Sequence, residues 1–389
     1  MKIFVRGTFK PEYVASKTEL DCFAGHAAGV CYMANDYDNI LKEPIEKTIK
    51  RADNTKINGH HSVYDHEYIS LELRDIPKAL AMVINNEHNY TTSEKSARYT
   101  KMVLDDKSQK LYDKWLEIFK NEIAKKYQNN YPNYFTKSRI EKLAQENARY
   151  LISVFTPTSL IYTISYRNLN YLYQFLIDEI NNENSNKFYN LLKPAMEEFC
   201  FAIQTSVPYL DAKLMNNGKN RSLKLYNEEM PEEYFGSVYA TNYKGSLAQL
   251  AQAQRHRTLD YSMCLLDNDE FYVPPIIAKN EELVKEWIND CNENATEFPQ
   301  GLMVNINEMG SLDNFILKMM ERKCSAAQLE INRQTTETLN KYYNNLIERN
   351  SSLAQKLEPY THGARCTFPN FTCPNPCCFK EGINEEREI

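Results

Sequence analysis

The sequence predicts an α+β fold of two tandem units, each a mixed sheet packed with long helices. Strand-like segments precede long amphipathic helical segments, and this order occurs twice along the 389 residues. The predicted boundaries are 1–214 for the first unit, 215–350 for the second, and 351–389 for a Cys-rich tail. We expect the two units to pair within one chain as a pseudo-dimer.

The first unit opens with a strand and continues mainly as helices. The segment "MKIFVRGTF" alternates like a strand, and "AAGVCYMA" is typical of a short buried element. Beyond "NNEHNY" helical periodicity dominates, and "EKLAQENARYLISVF" and "LNYLYQFLIDEINN" predict long amphipathic helices. The polar stretch from Met215 to Glu233 predicts a linker between the halves.

The second unit repeats this order after the linker. A strand-like "FGSVYA" precedes a predicted helix that carries Arg255, His256 and Arg257, and an acidic helical region follows. The alternating "LMVNINEM" predicts a further strand. A long helical stretch then runs from Ser311 to Asn350.

Charge and composition exclude several classes of function. A net charge of −6 gives no general attraction to nucleic acid polymers, so any phosphate site must be local. No apolar run reaches the ~20 residues of a membrane span, and "MKIFVRGTFK" lacks a signal-peptide core. We therefore expect a cytoplasmic protein with a small-molecule partner and no membrane. Neither G-x-G-x-x-G nor a P-loop occurs, so side chains would have to hold any nucleotide phosphate.

The C-terminal tail concentrates four of the ten cysteines among prolines. His362, Cys366, Cys373 and Cys377 could close a tetrahedral Zn²⁺ site, although their spacing is not a common zinc-finger pattern. An Fe–S cluster, a redox-active thiol tail and plain flexible cysteines are the alternatives. The other six cysteines are scattered, as in a reducing compartment.

The triplet Arg255-His256-Arg257 predicts an anionic ligand. Three cationic or titratable neighbours repel one another, and a nucleotide monophosphate would supply two compensating charges. A solvated basic face is the alternative interpretation of the triplet. Likewise Arg149 and Arg322 could be structural ion-pair partners on long helices.

The chain resembles the flavin-dependent thymidylate synthases (the ThyX family). Their signature R-H-R-x-x-S-x-N-E-x-S-x-R-Y follows a glutamine three residues upstream. The second half matches the front of this signature, and the first half matches the back, together with a "GHHSVYDH" segment similar to the family's G-H-x-S-x-x-E-H. The matching residues are Gln252, Arg255, His256 and Arg257 in the second half, and Glu94, Ser96, Arg98 and Tyr99 in the first.

Three further arginines of the family divide between the halves in the same way. Arg149 and Arg167 match in the first half, and Arg322 matches in the second. Each half has lost what the other retains, which predicts complementary half-sites. The resemblance implies that the nucleotide contacts Gln252, Arg255, Glu94, Ser96, Arg98, Arg149 and Arg322, and that flavin contacts Arg255, His256, Arg257 and Arg167. Arg255 and Arg322 are the implied catalytic residues.

The resemblance also implies the reaction and the assembly. In the family, methylenetetrahydrofolate gives a one-carbon unit to dUMP, reduced FAD supplies the hydride that completes the methyl group of dTMP, and NAD(P)H is the reductant. Family members are homotetramers with sites between chains, so a fused duplication would form a homodimer. Two alternatives remain: a related one-carbon transferase that makes a methyl or hydroxymethyl product, and an inactive nucleotide-binding or scaffold paralogue.

Overall fold

The computed structural model describes residues 13–34, 36–96, 100, 102–182, 186–215, 223–379 and 387–389. The predicted strand at residues 1–9 and the candidate residue Arg98 lie outside this part of the chain. The chain divides into two compact units. Unit 1 comprises Met1–Glu72, Asn89–Thr92 and Ile161–Ser222, and unit 2 comprises Leu73–His88, Ser93–Leu160 and Leu223–Ile389.

Helices dominate both units. The described residues of unit 1 form the α-helices α1 (Lys17–Tyr32), α2 (Tyr37–Ile40), α3 (Ile45–Ile57), α7 (Tyr166–Ile180), α8 (Lys187–Ser206) and α9 (Ala212–Met215). Those of unit 2 form α4 (Lys78–Ile84), α5 (Asp106–Ile123), α6 (Lys137–Ala148), α10 (Leu247–Ala253), α11 (Glu281–Asn292), α12 (Leu312–Arg322), α13 (Leu329–Glu348) and α14 (Ala354–Leu357).

Within the residues that the structure describes, seven strands form two sheets. The first sheet has the order β1-β3-β2, with β1 (Tyr68–Pro77), β2 (Tyr90–Glu94) and β3 (Pro157–Ser165). The second is antiparallel with the order β4-β5-β7-β6, and contains β4 (Tyr234–Phe235), β5 (Val238–Ser246), β6 (Asp260–Leu265) and β7 (Met303–Ser311). The mixture of long helices with two sheets makes the fold α+β, as predicted.

The order of elements is similar in both halves of the sequence, although the first half has one more helix before its last strand. In the first half β1 leads through α4 to β2, then through α5 and α6 to β3, which is followed by α7 and α8. In the second half β5 leads through α10 to β6, then through α11 to β7, which is followed by α12 and α13. In each sheet the third of these strands lies between the first and second.

Several sequence predictions for individual elements need correction. The segment "AAGVCYMA" is not a separate element, because most of it forms the C-terminal part of α1, where Ala24 and Ala28 are buried. The strand β3 lies within the region predicted to be mainly helical. Its run "TSLIYTIS" is rich in β-branched residues that alternate between buried and more exposed positions. The single long helix predicted from Ser311 onward is two helices, because the residues between Arg322 and Leu329 are not helical.

Each unit has its own aromatic core. In unit 1, Tyr64 and Tyr166 meet edge to face with centroids 5.7 Å apart. In unit 2, Trp115 of α5 meets Trp287 of α11 edge to face at 4.7 Å, and both are fully buried. Such pairs add about 0.5–1.5 kcal/mol to the stabilisation from burial. Within the described part of the chain, no helix has the length and apolar character needed to cross a membrane.

Candidate functional site: a cationic cavity in unit 2

A cavity of about 340 Å³ opens within unit 2 and is strongly cationic. Five basic side chains line it, against a single carboxylate. Its lining consists of Lys78, Glu94, Lys95, Ser96, Met102, Arg149, Thr158, Ala248, Ala251, Gln252, Arg255, Gln300 and Arg322. This excess of positive charge is suited to an anionic ligand.

Helix α10 positions Gln252 at the cavity. The helix begins after Ser246, whose hydroxyl accepts a hydrogen bond from the Gln249 amide at 3.0 Å. Leu247 and Leu250 are buried in the core, while Ala251 and Gln252 line the cavity. The amide oxygen Oε1 of Gln252 is buried and has no partner among the described residues. It can therefore accept a hydrogen bond from a ligand.

The triplet Arg255-His256-Arg257 lies after this helix, which corrects the prediction that the helix carries it. Helix α10 ends at Ala253, and the Gln254 side chain donates to the Met82 carbonyl at 3.0 Å. This side-chain anchor and the following turn direct the three residues differently. Arg255 lines the cavity, His256 is buried, and Arg257 is exposed.

A buried carboxylate joins the two halves of the sequence at the cavity wall. Glu94, the last residue of β2, has a side chain only 1% exposed. Its Oε2 accepts from Arg255 Nη2 at 3.0 Å, and its Oε1 accepts from Lys78 Nζ at 2.7 Å. Each carboxylate oxygen thus has its own cation, as a buried charge requires.

His256 holds Arg322 as a neutral imidazole. The Nε of Arg322 donates to His256 Nε2 at 2.6 Å, so this ring nitrogen carries no proton. Burial first, and then the neighbouring Arg322, lower the pKa of His256 to about 2. The guanidinium also donates to the Gln252 carbonyl at 3.5 Å. These two hydrogen bonds hold Arg322 at the end of α12, where its guanidinium lines the cavity.

Arg149 is held by the start of α13. Its Nη2 donates to the Gln328 side-chain oxygen, and the amide nitrogen of Gln328 donates to the Tyr150 hydroxyl. That hydroxyl donates to Glu330 Oε2 at 2.8 Å. Glu330 also accepts from the Ser246 amide and hydroxyl at 2.8 and 2.7 Å. One network thus connects Arg149 with the N-terminus of α10.

The structure brings six of the seven predicted nucleotide residues into this one cavity. They are Glu94, Ser96, Arg149, Gln252, Arg255 and Arg322, and the seventh, Arg98, lies outside the described residues. Three of the six come from each half of the sequence. Arg149, Arg255 and Arg322 thus line one shared cavity, while their roles in ligand binding stay a prediction.

The predicted flavin residues are not assembled in the same way. Arg255 lines the cavity, but His256 is occupied by Arg322, and Arg257 is exposed. Arg167 belongs to unit 1, where its guanidinium donates to Asp65 at 2.7 Å. The cavity lining thus includes Arg255 and none of the other three residues predicted to contact flavin.

The tail residues do not form a metal site in the described part of the chain. No group of three or more His, Cys, Asp or Glu side chains there is arranged to hold a metal ion. Cys366, Cys373 and Cys377 line a small cavity together with Cys324, whereas His362 does not line it. The zinc prediction is thus without support from the geometry of its four named residues.

Sequence reasoning missed three residues that support the site: Lys78, Gln328 and Glu330. Lys78 gave a signal that could have been used, since it directly follows Pro77 at a strand-to-helix junction. Gln328 and Glu330 are polar residues at the start of an amphipathic helix, a pattern that ordinarily indicates a solvated turn. Their partners Arg149 and Tyr150 are distant in sequence, and only packing brings them together.

Comparison with known proteins identifies a family for part of the chain. Residues 14–199 match the family described as thymidylate synthase complementing protein. A flavin-dependent thymidylate synthase ThyX from Helicobacter pylori, solved with FAD and dUMP, is 17% identical with a TM-score of 0.30, over 51% of this chain and 95% of that chain. Another structure of ThyX from Helicobacter pylori with FAD and dUMP is 16% identical with a TM-score of 0.28, over the same shares. No curated protein matches the chain.

Proposed function

Residues 14–199 belong to the thymidylate synthase complementing protein family, and on this premise we propose that the chain is an FAD-dependent thymidylate synthase-like enzyme. It converts dUMP to dTMP with a one-carbon unit from methylenetetrahydrofolate, and NAD(P)H is the reductant. Reduced FAD, when bound, would supply the hydride that completes the methyl group. The protein acts in the cytoplasm on a small-molecule substrate.

The observation that carries this proposal is the cationic cavity with lining residues from both halves. A nucleotide monophosphate has a dianionic phosphate, and Arg149, Arg255 and Arg322 offer guanidinium groups that can form paired hydrogen bonds with it. Ser96 adds a hydroxyl at the same wall. A cavity of about 340 Å³ is in the size range of small-molecule sites.

The polar groups of the cavity also suit a pyrimidine base. The unpartnered Oε1 of Gln252 is an acceptor for a ring N–H, and the Gln252 carbonyl already binds Arg322. Arg255 and Arg322 bring positive charge to the same wall, where it would stabilise negative charge that develops on a base oxygen. These are the roles proposed for Gln252 in binding and for the two arginines in catalysis.

The matching element order in the two halves supports a tandem duplication with complementary half-sites. If both copies had kept a complete signature, each half would carry its own set of arginines. Instead Glu94 from the first half is bonded to Arg255 from the second. A fused pair of repeats needs one such composite site, so the unused half of each motif could be lost.

Nucleotide titration of the arginine variants tests the proposal. Arg149→Ala and Arg322→Ala should each weaken dUMP binding by about ten-fold or more, because each removes a charge-assisted contact. Lys285→Ala removes an exposed cation of α11 and should leave the affinity unchanged. The wild-type protein should also have a flavin spectrum and form dTMP. Unchanged affinity in both arginine variants would exclude the cavity as the nucleotide site.

A turnover assay separates the enzyme from its alternatives. Flavin-dependent formation of dTMP supports the thymidylate synthase. Binding of dUMP without any product, in the presence of folate and reductant, would instead indicate the inactive nucleotide-binding paralogue. A hydroxymethylated nucleotide would indicate the related one-carbon transferase.

A further inference from the structure

Lys78 is a second cation on the buried carboxylate of Glu94. The side chain of Lys78 is 17% exposed, whereas that of Arg255 is 34% exposed. Lys78 is therefore the more buried of the two cations that contact Glu94, and Arg255 is the more exposed one. Burial lowers the pKa of Lys78, and the neighbouring Glu94 acts against this change.

Backbone hydrogen bonds hold the main chain at Lys78, from which its ammonium group extends. Lys78 is the first residue of α4, and its amide donates to the Thr156 carbonyl at 3.0 Å. The next amide, of Ala79, donates to the Val154 carbonyl at 2.6 Å. Both acceptors lie in the segment between Arg149 and β3. The position of the ammonium is thus linked to the same part of the chain that carries a cavity arginine.

The charge balance of the cavity depends on this lysine. If Arg255 were the single partner of this buried carboxylate, its guanidinium would have to compensate the full charge of Glu94. A phosphate would then compete with Glu94 for that guanidinium. With Lys78 on Oε1, the negative charge of Glu94 is already compensated. Arg255 then needs only one of its donors for Oε2, and the others can reach a ligand.

We propose that Lys78 is a positioning residue that neutralises Glu94 and thereby keeps Arg255 available to the phosphate of the substrate. This inference rests on the proposed function, since it concerns the same anion site. It assigns Lys78 no contact with the substrate. Its effect passes through Glu94, and removing Glu94's charge should therefore remove the need for Lys78.

A double-mutant cycle tests this dependence. The variants are Lys78→Met, Glu94→Gln and the double variant, and the affinity for dUMP is measured by calorimetry at one low ionic strength. Lys78→Met alone should weaken binding by about ten-fold or more. In the Glu94→Gln background the same substitution should change affinity by less than about two-fold. An equal loss in both backgrounds would mean that Lys78 acts on the ligand itself, and no loss in either would remove its role.

Matched variants separate this effect from loss of charge or of folding. Lys95→Met removes another cavity lysine, and any loss it causes should be the same in both backgrounds. Lys78→Arg keeps the positive charge and should retain most of the affinity. Circular dichroism and thermal unfolding check that each variant is folded.

Inorganic phosphate, used as a second probe, separates the failure of this inference from that of the proposed function. If the wild type binds phosphate but not dUMP, the proposed function fails. The double-mutant cycle is then measured as the affinity of each variant for phosphate. If it binds neither, the cavity is not an anion site and the role of Lys78 fails with it.

Discussion

At the scale of single residues, His256 shows how burial decides the role of a titratable group. In the sequence it stands between two arginines and resembles a third cation. In the structure it is only 7% exposed and accepts a hydrogen bond from Arg322. A proton on its Nε2 would remove that bond and add a buried positive charge. His256 is thus an acceptor that orients a cavity arginine.

The pH dependence of stability should report this neutral state. The folded-state pKa of about 2 lies below the ordinary value of 6.5, so the unfolded chain binds a proton that the native protein excludes. The contribution of His256 is fully present above about pH 6.5 and decreases as the pH falls, by at most about 1.4 kcal/mol per pH unit. His256→Gln keeps an acceptor without this titration. Its free energy of unfolding, measured in urea at pH 5 and 7, should decrease less than that of the wild type. Parallel decreases would contradict the assignment.

At the scale of elements, one buried side chain joins the ends of two helices. Glu330 lies in the first turn of α13 and accepts from the backbone amide and hydroxyl of Ser246, the residue that caps α10. It also accepts from Tyr150, next to Arg149. Burial raises the pKa of Glu330, while the bonds from Ser246 oppose this change. The N-terminus of the helix that carries Gln252 is thus held by a hydrogen-bonded network. The short apolar pattern of this helix does not indicate that network.

Glu330→Ala should destabilise the protein strongly. It leaves the Ser246 amide, the Ser246 hydroxyl and the Tyr150 hydroxyl without their buried acceptor, which costs about 3 kcal/mol or more of unfolding free energy. Chemical denaturation measures the change. Glu337→Ala, at an exposed position of the same helix, is the control and should change stability by less than about 0.5 kcal/mol. Equal small effects in the two variants would show that the network contributes little.

At the scale of the whole molecule, the described chain contains a similar order of strands and helices twice, and β3 and β7 each lie between the two strands that precede them in their repeat. The compact units do not follow the predicted boundary between repeats, because unit 2 takes residues from both halves. This interleaving is why one cavity within unit 2 can combine Glu94 with Arg255. The repeat boundaries at 214 and 350 stay a prediction.

We expect the protein to be a homodimer in solution. If two fused units already form one family interface within the chain, a single further self-association completes a four-unit assembly. Light scattering coupled to size exclusion should therefore give twice the mass of one chain. A fully active monomer, or a tetramer of 389-residue chains, would contradict the fused-repeat proposal.

The sequence by itself determined the α+β class, and its resemblance to a known family predicted six of the residues that line the cavity. These are Glu94, Ser96 and Arg149 in one half, and Gln252, Arg255 and Arg322 in the other, which match the family's motifs in residue type and spacing.

Only the tertiary structure decided how these groups are held. Glu94 and Arg255 are 161 residues apart, and Arg149 and Gln328 are 179 apart. Periodicity indicates which face of an element is buried, but not which distant side chain meets it. Contacts between distant side chains decide three features of the site. They are the pairing of Lys78 with Glu94, the neutral state of His256, and the position of the triplet after its helix. Burial makes each of them decisive, because a charge or donor removed from water must find its partner within the protein.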